Sequence, residues 1–523
     1  MVGLGGVDLR EGTELECDVA DDKHQEISPM LGDMGMDEFR RSGYQIVDWI
    51  ANYLNDREQY PVFGSSRPGD VRALLPPAAP IFPESMDSIL ADFEKIIVPG
   101  ITHWNHPAFF AYFAITGSAP GILGEFLTAA LNVNAMMWRT SPAATELEES
   151  TLDWLRQMLG LPPIFRGVIV DTASMATLIA IAAARENLNL DIRRLGIAGR
   201  NDVPRLRLYA STEAHSSVEK AAITLGIGQS GVRKIPTDAE FCMSPQALAT
   251  AITDDLRAGW KPFCVVATVG TTSTTSVDPV PALARICKEH GLWLHVDGAY
   301  GGMAAIVPEL RFVLDGCENA DSLVVNPHKW LFTPLDCSAF YVREPSALQR
   351  AFSLVPEYLT SNEADNVTNY MDWGIQLGRR FRALKLWMVI RYFGHDGLAA
   401  RIREHVRLAR ELSQQIDADP DAERLAPTRL STVCFRIRPA DLINSLRESG
   451  PDRIREIEKY LDKLNEAVVE AVNATGKTLV SHTRVDDRYT IRLAIGHIQT
   501  QDVHVSRTWE LIRTTAQRLH AAG

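Results

Sequence analysis

The sequence has few cysteines, and none of them shows a spacing that would organise a fold or a metal site. Its 523 residues include seven cysteines, an odd number, scattered without a CxxC pair or a Cys/His ligand pattern. This excludes a disulfide framework and a zinc module, and it is typical of a protein in a reducing compartment. We therefore expect a cytoplasmic protein that binds no metal.

Long apolar runs and basic tracts are missing as well. The longest apolar candidate, 176–184, is too short to cross a bilayer, and the N-terminus lacks the regions of a signal peptide. The net charge is −13 and the pI is near 5.5, so neither nucleic acid nor a membrane is an expected partner. No Walker loop occurs and no GxGxxG follows an apolar run, which disfavours nucleotide hydrolysis and nicotinamide cofactors.

Changes in sequence pattern divide the chain into four predicted segments. Residues 8–26 carry eight acidic and two basic side chains, which predicts a flexible acidic tail over 1–35. Apolar residues at helical spacing then predict a helical segment over 36–105. Short apolar runs alternate with helical stretches over 106–395, which predicts a large α/β domain. The remainder, 396–523, is expected to form a small α+β domain.

Residues suited to chemistry follow the apolar runs of the large domain. Alternating strands and helices predict a mostly parallel sheet that is covered on both faces. Ligands bind such sheets at the carboxyl ends of the strands. The segments that follow the five predicted strands are DTASMAT, TEAHSSVEK, GTTSTTSVD, DGAYGG and NPHKW. Hydroxyl residues, two histidines, an aspartate and a lysine are therefore expected at one edge of the sheet.

This set of side chains matches the needs of pyridoxal 5′-phosphate. The aldehyde needs a lysine, and the phosphate needs the N–H groups of a helix start with hydroxyl support. The pyridine nitrogen needs a carboxylate that keeps it protonated, and an aromatic ring usually stacks on the cofactor. The candidates are Lys329 for the aldehyde, Ala173, Ser174 and Thr272 for the phosphate, Asp297 for the nitrogen, and His215 for the ring face.

Each of these candidates also has a purely structural interpretation. Lys329 could be a solvated residue at a strand end, and Asp297 could cap a helix. His215 could be a polar residue at a helix start, and Ser174 could cap the helix that follows it. Thr272 lies in a threonine-rich run, so its neighbour could be the ligand instead.

Five segments of the chain resemble one enzyme family in their order and spacing. NPHKW, HVDGAYGG, AHSSVEK, SPAATELE and GRRFRALKLW resemble the group II pyridoxal-phosphate decarboxylases, in the branch of tryptophan, tyrosine and dopa decarboxylases. The resemblance covers roughly residues 36–515. It implies a type I PLP-dependent transferase fold and a homodimer with shared active sites, in which 36–105 serves dimerisation. The implied activity is decarboxylation of aromatic L-amino acids to arylalkylamines and carbon dioxide.

The resemblance also assigns roles to individual residues. Lys329 is implied to bind the cofactor covalently, with His328 beside it in contact with the cofactor. Asp297 is implied to pair with the pyridinium nitrogen. His215 is implied to stack on the ring and is a candidate proton donor. The positions that hold the phosphate or its surroundings are Ala173, Ser174, Thr272 and Asn326.

Tyr358 lies in a polar stretch, 354–373, whose irregular pattern predicts a mobile loop. Family members carry a tyrosine there that is thought to protonate the carbon from which carbon dioxide has left. Relatives with phenylalanine at this position are aldehyde synthases. Tyr358 therefore favours a decarboxylase, although a tyrosine that merely packs the loop is the structural alternative. An aldehyde synthase and a catalytically silent cofactor-binding scaffold are the competing hypotheses.

The resemblance also locates a substrate pocket, and here the chain departs from the family pattern. The implied aromatic wall consists of Trp104, Tyr112 and Phe113. Where relatives read Tyr-Phe-Pro followed by Thr or Ser, this chain reads YFAIT, so Ile115 makes the wall more apolar. Met137 lies near positions that reach across the dimer interface in relatives, and Gly378 is the small residue of indole-accepting relatives. Dopa decarboxylases can also have glycine there, so the preferred aromatic amino acid stays open.

Overall fold

The structure is a computed structural model that describes residues 32–64, 66–354, 367–442 and 450–522. Its α-helices are α1 (Met36–Asn55), α2 (Asp70–Leu74), α3 (Met86–Asp92), α4 (Val98–Gly100), α5 (Ala119–Leu131), α6 (Pro142–Met158), α7 (Ala173–Glu186), α8 (Ile192–Leu195), α9 (Ser217–Thr224), α10 (Pro245–Arg257), α11 (Val280–His290), α12 (Pro327–Trp330), α13 (Pro345–Phe352), α14 (Ala383–Ala418), α15 (Pro451–Ala474) and α16 (Asp502–Ala522). Its strands are β1 (Arg166–Val170), β2 (Arg205–Ser211), β3 (Val232–Ile235), β4 (Trp260–Thr268), β5 (Trp293–Asp297), β6 (Ser322–Val325), β7 (Ser338–Val342), β8 (Ala422–Arg424), β9 (Thr432–Ile437), β10 (Ser481–Val485) and β11 (Arg488–Ala494).

Seven strands of the described residues form one large sheet in the order β1-β7-β6-β5-β4-β2-β3. The pairs β2–β3, β2–β4, β4–β5 and β5–β6 are parallel, whereas β7 runs antiparallel to both of its neighbours. Since β7 is antiparallel to β1 and to β6, these two strands share one direction. The carboxyl ends of β1, β2, β4, β5 and β6 therefore lie at the same edge, as the strand–helix alternation predicts.

The large sheet is buried on both faces, and its sequence shows why. Successive side chains of a strand point to opposite faces. Val265 packs into one hydrophobic cluster and Val266 into another, and Val325 and Val324 divide in the same way. Both faces exclude water, so the strands need continuous apolar runs instead of alternating ones.

A smaller antiparallel sheet, in the order β10-β11-β9-β8, carries α15 and α16 against it. Helix α14 leads into this part of the chain. Its backbone is not helical at Gly394, where φ is +62° and ψ is 171°. Two helices therefore meet at a kink, beside the predicted boundary between the large and small domains.

Helices α1 and α3 belong to one compact unit, whereas Arg57–Ala79 and Phe93–Gly523 belong to another. Asp87 of α3 accepts a hydrogen bond from Gln45 of α1 and lies 3.7 Å from the guanidinium of Arg41. Large apolar side chains of α1 are exposed, namely Met36, Phe39, Tyr44 and Val47. In the chain, α3 is followed by a turn of π-helix at Phe93–Ile97.

Two further observations concern the described residues alone. None of their helices combines the length and apolarity needed to cross a membrane. Their six cysteines, Cys242, Cys264, Cys287, Cys317, Cys337 and Cys434, are free thiols and are buried.

Candidate active site

Lys329 lies in the single turn of helix that follows β6. Pro327 begins this turn, and Trp330 is buried directly behind it. The lysine side chain is only partly exposed, and its Nζ lies 5.3 Å from the ring centre of Phe113. Burial lowers the pKa of Lys329, and the nearby Arg492 lowers it further, while Asp297 opposes the shift. The site therefore favours the neutral amine, which is the nucleophilic form.

Asp297 is the last residue of β5 and is buried at the same edge of the sheet. Its Oδ1 accepts a hydrogen bond from the backbone N–H of Ala299 at 3.1 Å. Its charge raises the pKa values of Lys329 and His215 against the effect of burial. The carboxylate, the amine and the imidazole therefore form one electrostatic cluster.

His215 follows β2 and lies just before α9. Its Nδ1 accepts a hydrogen bond from the backbone N–H of Ser217 at 3.2 Å, so the neutral ring carries its hydrogen on Nε2. Part of the side chain is exposed to solvent, but neighbouring residues desolvate the ring, and this desolvation lowers the pKa of His215. The nearby Lys329 and Lys220 lower the pKa further. A neutral ring near pH 7 can stack on a cofactor without bringing a positive charge.

His328 and Asn326 are both buried beside Lys329. The Nδ1 atom of His328 accepts a hydrogen bond from the backbone N–H of Cys337 at 2.9 Å. Burial is the main cause that lowers the pKa of His328 to about 3, so the ring is neutral and Nε2 carries its hydrogen. The amide nitrogen of Asn326 lies 3.3 Å from Nε2, while its Oδ1 is buried without a hydrogen-bond partner among the described residues.

A rotation of the Asn326 amide by 180° removes the contact between two donors, because Oδ1 then accepts a hydrogen bond from Nε2 of His328. The amide N–H₂ group then takes the buried position that has no protein partner. A buried donor of this kind needs an acceptor. An anionic group of a cofactor would satisfy it.

The start of α7 and the loop after β4 offer further donors to an anion. Thr172 caps α7, since its hydroxyl accepts from the backbone N–H of Met175 at 3.4 Å. Ser174 is therefore not the cap, and its exposed hydroxyl stays available beside the first N–H groups of the helix, which include that of Ala173. The neighbouring loop carries a second exposed hydroxyl at Thr272.

Hydrogen bonds within the loop hold the threonine run that contains Thr272. Thr271 is buried, and its hydroxyl lies 3.0 Å from that of Thr274 and accepts from the backbone N–H of Ser276. Thr271 is therefore occupied in holding the loop, and Thr272 is the better candidate for a ligand contact.

The aromatic residues predicted for the substrate pocket divide into two stacks. Trp104 stacks on Tyr112, with ring centres 5.5 Å apart. Phe113 stacks instead on Tyr300, at 3.8 Å, and this places it near Lys329. Ile115 is half-buried two residues further along the chain. Of the predicted wall, Phe113 is thus the residue placed next to the lysine.

Arg492 on β11 is a buried residue of this site that sequence reasoning missed. Its guanidinium carbon lies 4.5 Å above the ring of Phe113, and its N–H groups donate to the backbone oxygens of Tyr112 and Ser273. Its Nη2 atom is buried without a hydrogen-bond partner among the described residues. Because β11 belongs to the small sheet, no motif around Lys329 could have revealed this cation.

Met137 and Gly378 lie in a different neighbourhood. Met137 packs with Met371, and the backbone N–H of Met371 donates to the oxygen of Met136 at 2.9 Å. At Gly378 an added Cβ would meet only the side chain of Asn134, at 3.9 Å. These contacts join residues 134–137 to 369–379 and do not involve Lys329. Tyr358 lies outside the residues that the structure describes.

The donor set fits pyridoxal 5′-phosphate. A lysine whose pKa is lowered by burial and a buried carboxylate lie at the same sheet edge. Exposed hydroxyls at a helix start and on the loop after β4, together with the buried amide of Asn326, suit a phosphate. A buried guanidinium without a carboxylate partner among the described residues suits a second anion. A mostly parallel sheet with this edge, joined to a small antiparallel domain, defines a lysine-dependent pyridoxal-phosphate enzyme of the type I fold.

Comparison with known proteins agrees with this class. The pyridoxal-dependent decarboxylase conserved domain matches residues 68–438. Tyrosine decarboxylase 4 of Petroselinum crispum is 43% identical over 493 residues, which is 92% of this chain and 94% of the relative. Phenylacetaldehyde synthase of Arabidopsis thaliana is 40% identical over 500 residues, 94% of this chain and 98% of the relative.

A solved structure gives the same result at the level of the fold. The crystal structure of Oryza sativa TDC with PLP and tryptamine superimposes with a TM-score of 0.87 at 37% identity. The match covers 94% of this chain and 99% of that one. The chain therefore belongs to the pyridoxal-dependent decarboxylase family, and its cofactor is pyridoxal 5′-phosphate. The predicted family, fold class and cofactor are confirmed.

Proposed function

We propose that this enzyme decarboxylates aromatic L-amino acids to arylalkylamines and carbon dioxide. The observation that carries the proposal is Lys329, a half-buried lysine whose pKa is lowered, near Asp297 and Phe113. The names of the relatives support the substrate class, since one is a tyrosine decarboxylase and one structure contains tryptamine. The aromatic ring of Phe113 suits an aromatic side chain.

Within this proposal, the residues at the sheet edge hold the cofactor. When bound, pyridoxal phosphate supplies an aldehyde that takes up the substrate amine and a ring that accepts the electron pair of the breaking carbon–carboxylate bond. Asp297 holds a proton at the ring nitrogen, and His215 covers the ring. Lys329 exchanges a proton with the substrate amine. The phosphate is assigned to Ala173, Ser174, Thr272 and Asn326, with His328 orienting Asn326.

We assign the substrate carboxylate to Arg492. Its Nη2 is a buried donor that lacks a protein acceptor among the described residues, and a carboxylate is the acceptor that pairs best with a guanidinium. Its hydrogen bonds to the backbone oxygens of Tyr112 and Ser273 hold the guanidinium over the ring of Phe113. Arg492 would thus orient the carboxylate that leaves, while Phe113 contacts the side chain of the same substrate.

Proton delivery to the carbon that loses carbon dioxide is assigned to Tyr358, from the resemblance of its loop to the family. A phenol positioned at that carbon directs the reaction to the amine. An aldehyde synthase remains the second candidate, because one relative is a phenylacetaldehyde synthase at 40% identity. The presence of tyrosine at this position favours the decarboxylase.

We also propose a homodimer whose active sites are shared between subunits. Exposed apolar side chains of α1 and of α5, among them Leu123, Leu127 and Leu131, support an interface. The contacts of Met137 and Gly378 do not involve Lys329 of the same chain. We therefore propose that these residues help to form the substrate pocket of the second subunit. Sedimentation that finds an active monomer would contradict this. A reducing, cytoplasmic location is proposed from the free, buried cysteines.

The activity is tested by detecting amine and carbon dioxide with a panel of aromatic L-amino acids and one acidic amino acid as control. We expect turnover of at least one aromatic substrate and none of the acidic one. Lys329→Ala should lose covalently bound cofactor, which borohydride reduction and peptide mapping would reveal. Reduced cofactor on a different lysine, or equal turnover of the acidic substrate, would contradict the proposal.

A further inference from the structure

Three buried rings stack behind the candidate active site. Trp330, which directly follows Lys329, stacks on Tyr300 with ring centres 4.5 Å apart and planes 7° from parallel. Tyr300 stacks in turn on Phe113, with ring centres 3.8 Å apart, and the guanidinium carbon of Arg492 lies 4.5 Å from the ring centre of Phe113. This column joins the chain at Lys329 to the cation assigned to the substrate carboxylate.

The far end of the column is held by His405 of α14. The indole N–H of Trp330 donates to Nδ1 of His405 at 3.0 Å, and Nε2 of His405 lies 3.0 Å from the backbone oxygen of His497. An acceptor at Nδ1 and a donor at Nε2 require one neutral tautomer. Burial lowers the pKa of His405 to about 4, which keeps that tautomer in place near pH 7.

The indole bond matters because Trp330 has no alternative way to satisfy it. An indole nitrogen is a donor only, and Trp330 is fully buried. Without an acceptor, the ring must either leave its N–H unpaired or shift in the column. Rings at 3.8 to 4.5 Å spacing are in van der Waals contact, so a shift of Trp330 reaches Tyr300 and Phe113.

We propose that His405 is a positioning residue for the reaction, which acts through the Trp330–Tyr300–Phe113 column on Lys329 and Arg492. His405 touches neither substrate nor cofactor in this proposal. It fixes the indole ring, and the column fixes the aromatic wall and the guanidinium that rests on it. The proposal rests on the function assigned above to Lys329 and Arg492.

Two substitutions of His405 separate its two hydrogen bonds. His405→Asn places an amide oxygen near the position of Nδ1 and so keeps an acceptor for Trp330, but it loses the donor to His497. His405→Gln keeps a donor near the position of Nε2 and loses the acceptor. We expect His405→Gln to lower kcat/KM about fivefold to tenfold, the usual effect of one lost hydrogen bond, and His405→Asn to stay within about twofold.

Near-ultraviolet circular dichroism, recorded for the holoenzyme and for the cofactor-free protein, measures the packing of the aromatic column independently of activity. Stacked aromatic rings give a strong signal there, which His405→Gln should reduce and His405→Asn should preserve. Trp330→Phe removes the indole donor and keeps a stacking ring, so adding His405→Gln to it should cause little further loss. His520→Gln, at a histidine that contacts Tyr460 on α15, is the matched control and should leave activity unchanged.

Equal effects of His405→Asn and His405→Gln on kcat/KM and circular dichroism would overturn the proposal. So would fully additive losses for Trp330→Phe and His405→Gln. If the wild type itself shows no covalent cofactor at Lys329, the assigned function fails, whereas the dichroism of the column still reports on His405. The two failures are therefore distinguishable.

Discussion

Acidification should destabilise this protein steeply below neutral pH, because it buries an unusual set of neutral histidines. Burial lowers the pKa to about 3 for His328 and to about 4 for His106, His295 and His405, and it lowers the pKa of His497 well below the ordinary value. In the unfolded chain each ring has a pKa near 6.5. These five buried residues are His106, His295, His328, His405 and His497.

The sign of the effect follows from proton binding. Between pH 6.5 and about 4 the unfolded chain binds protons that the folded protein excludes, so stability falls as the pH falls. At pH 5 each histidine costs about 2 kcal/mol relative to pH values above 6.5, and the five together cost about 10 kcal/mol. Burial raises the pKa of Asp278 to about 6, which returns about 1.4 kcal/mol over the same range.

The assay is the number of protons taken up on unfolding in guanidinium chloride, measured with a pH electrode in weakly buffered solution. At pH 5 we expect about four to five protons to be taken up by the histidines, less about one that Asp278 releases, and at pH 8 almost none. His295→Asn should reduce the uptake at pH 5 by about one proton. An uptake below about one proton at pH 5 would refute the assignment of these rings as neutral in the folded protein.

Three further predictions concern the site and its support. Tyr358→Phe should divert product from amine to aldehyde while carbon dioxide release continues, because a positioned general acid is worth about 10²–10⁴-fold; unchanged partition in a product assay would make His215 the next candidate. Arg492→Lys should raise KM for the amino acid about tenfold without changing cofactor absorbance, since charged hydrogen bonds contribute about 1.5–3 kcal/mol; an unchanged KM would remove Arg492 from the substrate. Glu148→Gln should lower the free energy of unfolding in guanidinium by about 3–5 kcal/mol, because it leaves the buried Arg379 without a carboxylate. The double variant Glu148→Leu with Arg379→Met should recover most of that loss. Equal losses for the single and the double variant would show that the charge of Arg379 is not the cause.

Much of the fold was predictable, because the large sheet leaves a local trace. Both of its faces are buried, so its strands appear as short continuous apolar runs between helices. The alternation of strands and helices predicted over 106–395 is seen, for example, in β4, α11 and β5. The placement of Lys329 after β6 followed from the same reasoning, since parallel strands bring their carboxyl ends to one edge.

The parts that sequence reasoning missed depend on contacts between distant residues. Arg492 lies on a strand of the small sheet, yet it stacks on Phe113 of the segment before α5. The indole of Trp330 finds its acceptor 75 residues later, at His405. No periodicity or motif encodes such pairs, because each residue alone is an ordinary member of a strand or helix.

The segment GRRFRALKLW shows how the structure gives a motif its physical meaning. Arg379 pairs with Glu148, Arg382 with Asp336, and Lys385 with Glu125, so these three cations all have a carboxylate. Such pairing is required, since an unpaired buried charge costs several kcal/mol. Arg380 shares Glu125 with Lys385.

Arg492 departs from this rule. It is as buried as Arg379, yet among the described residues it has only backbone oxygens and the face of Phe113 as partners. Desolvation lowers the pKa of Arg492, which means that the folded protein bears a cost to keep the cation there. A bound ligand with a negative charge would offset this cost. The carboxylate of an amino-acid substrate supplies such a charge beside Arg492 until it leaves as neutral carbon dioxide.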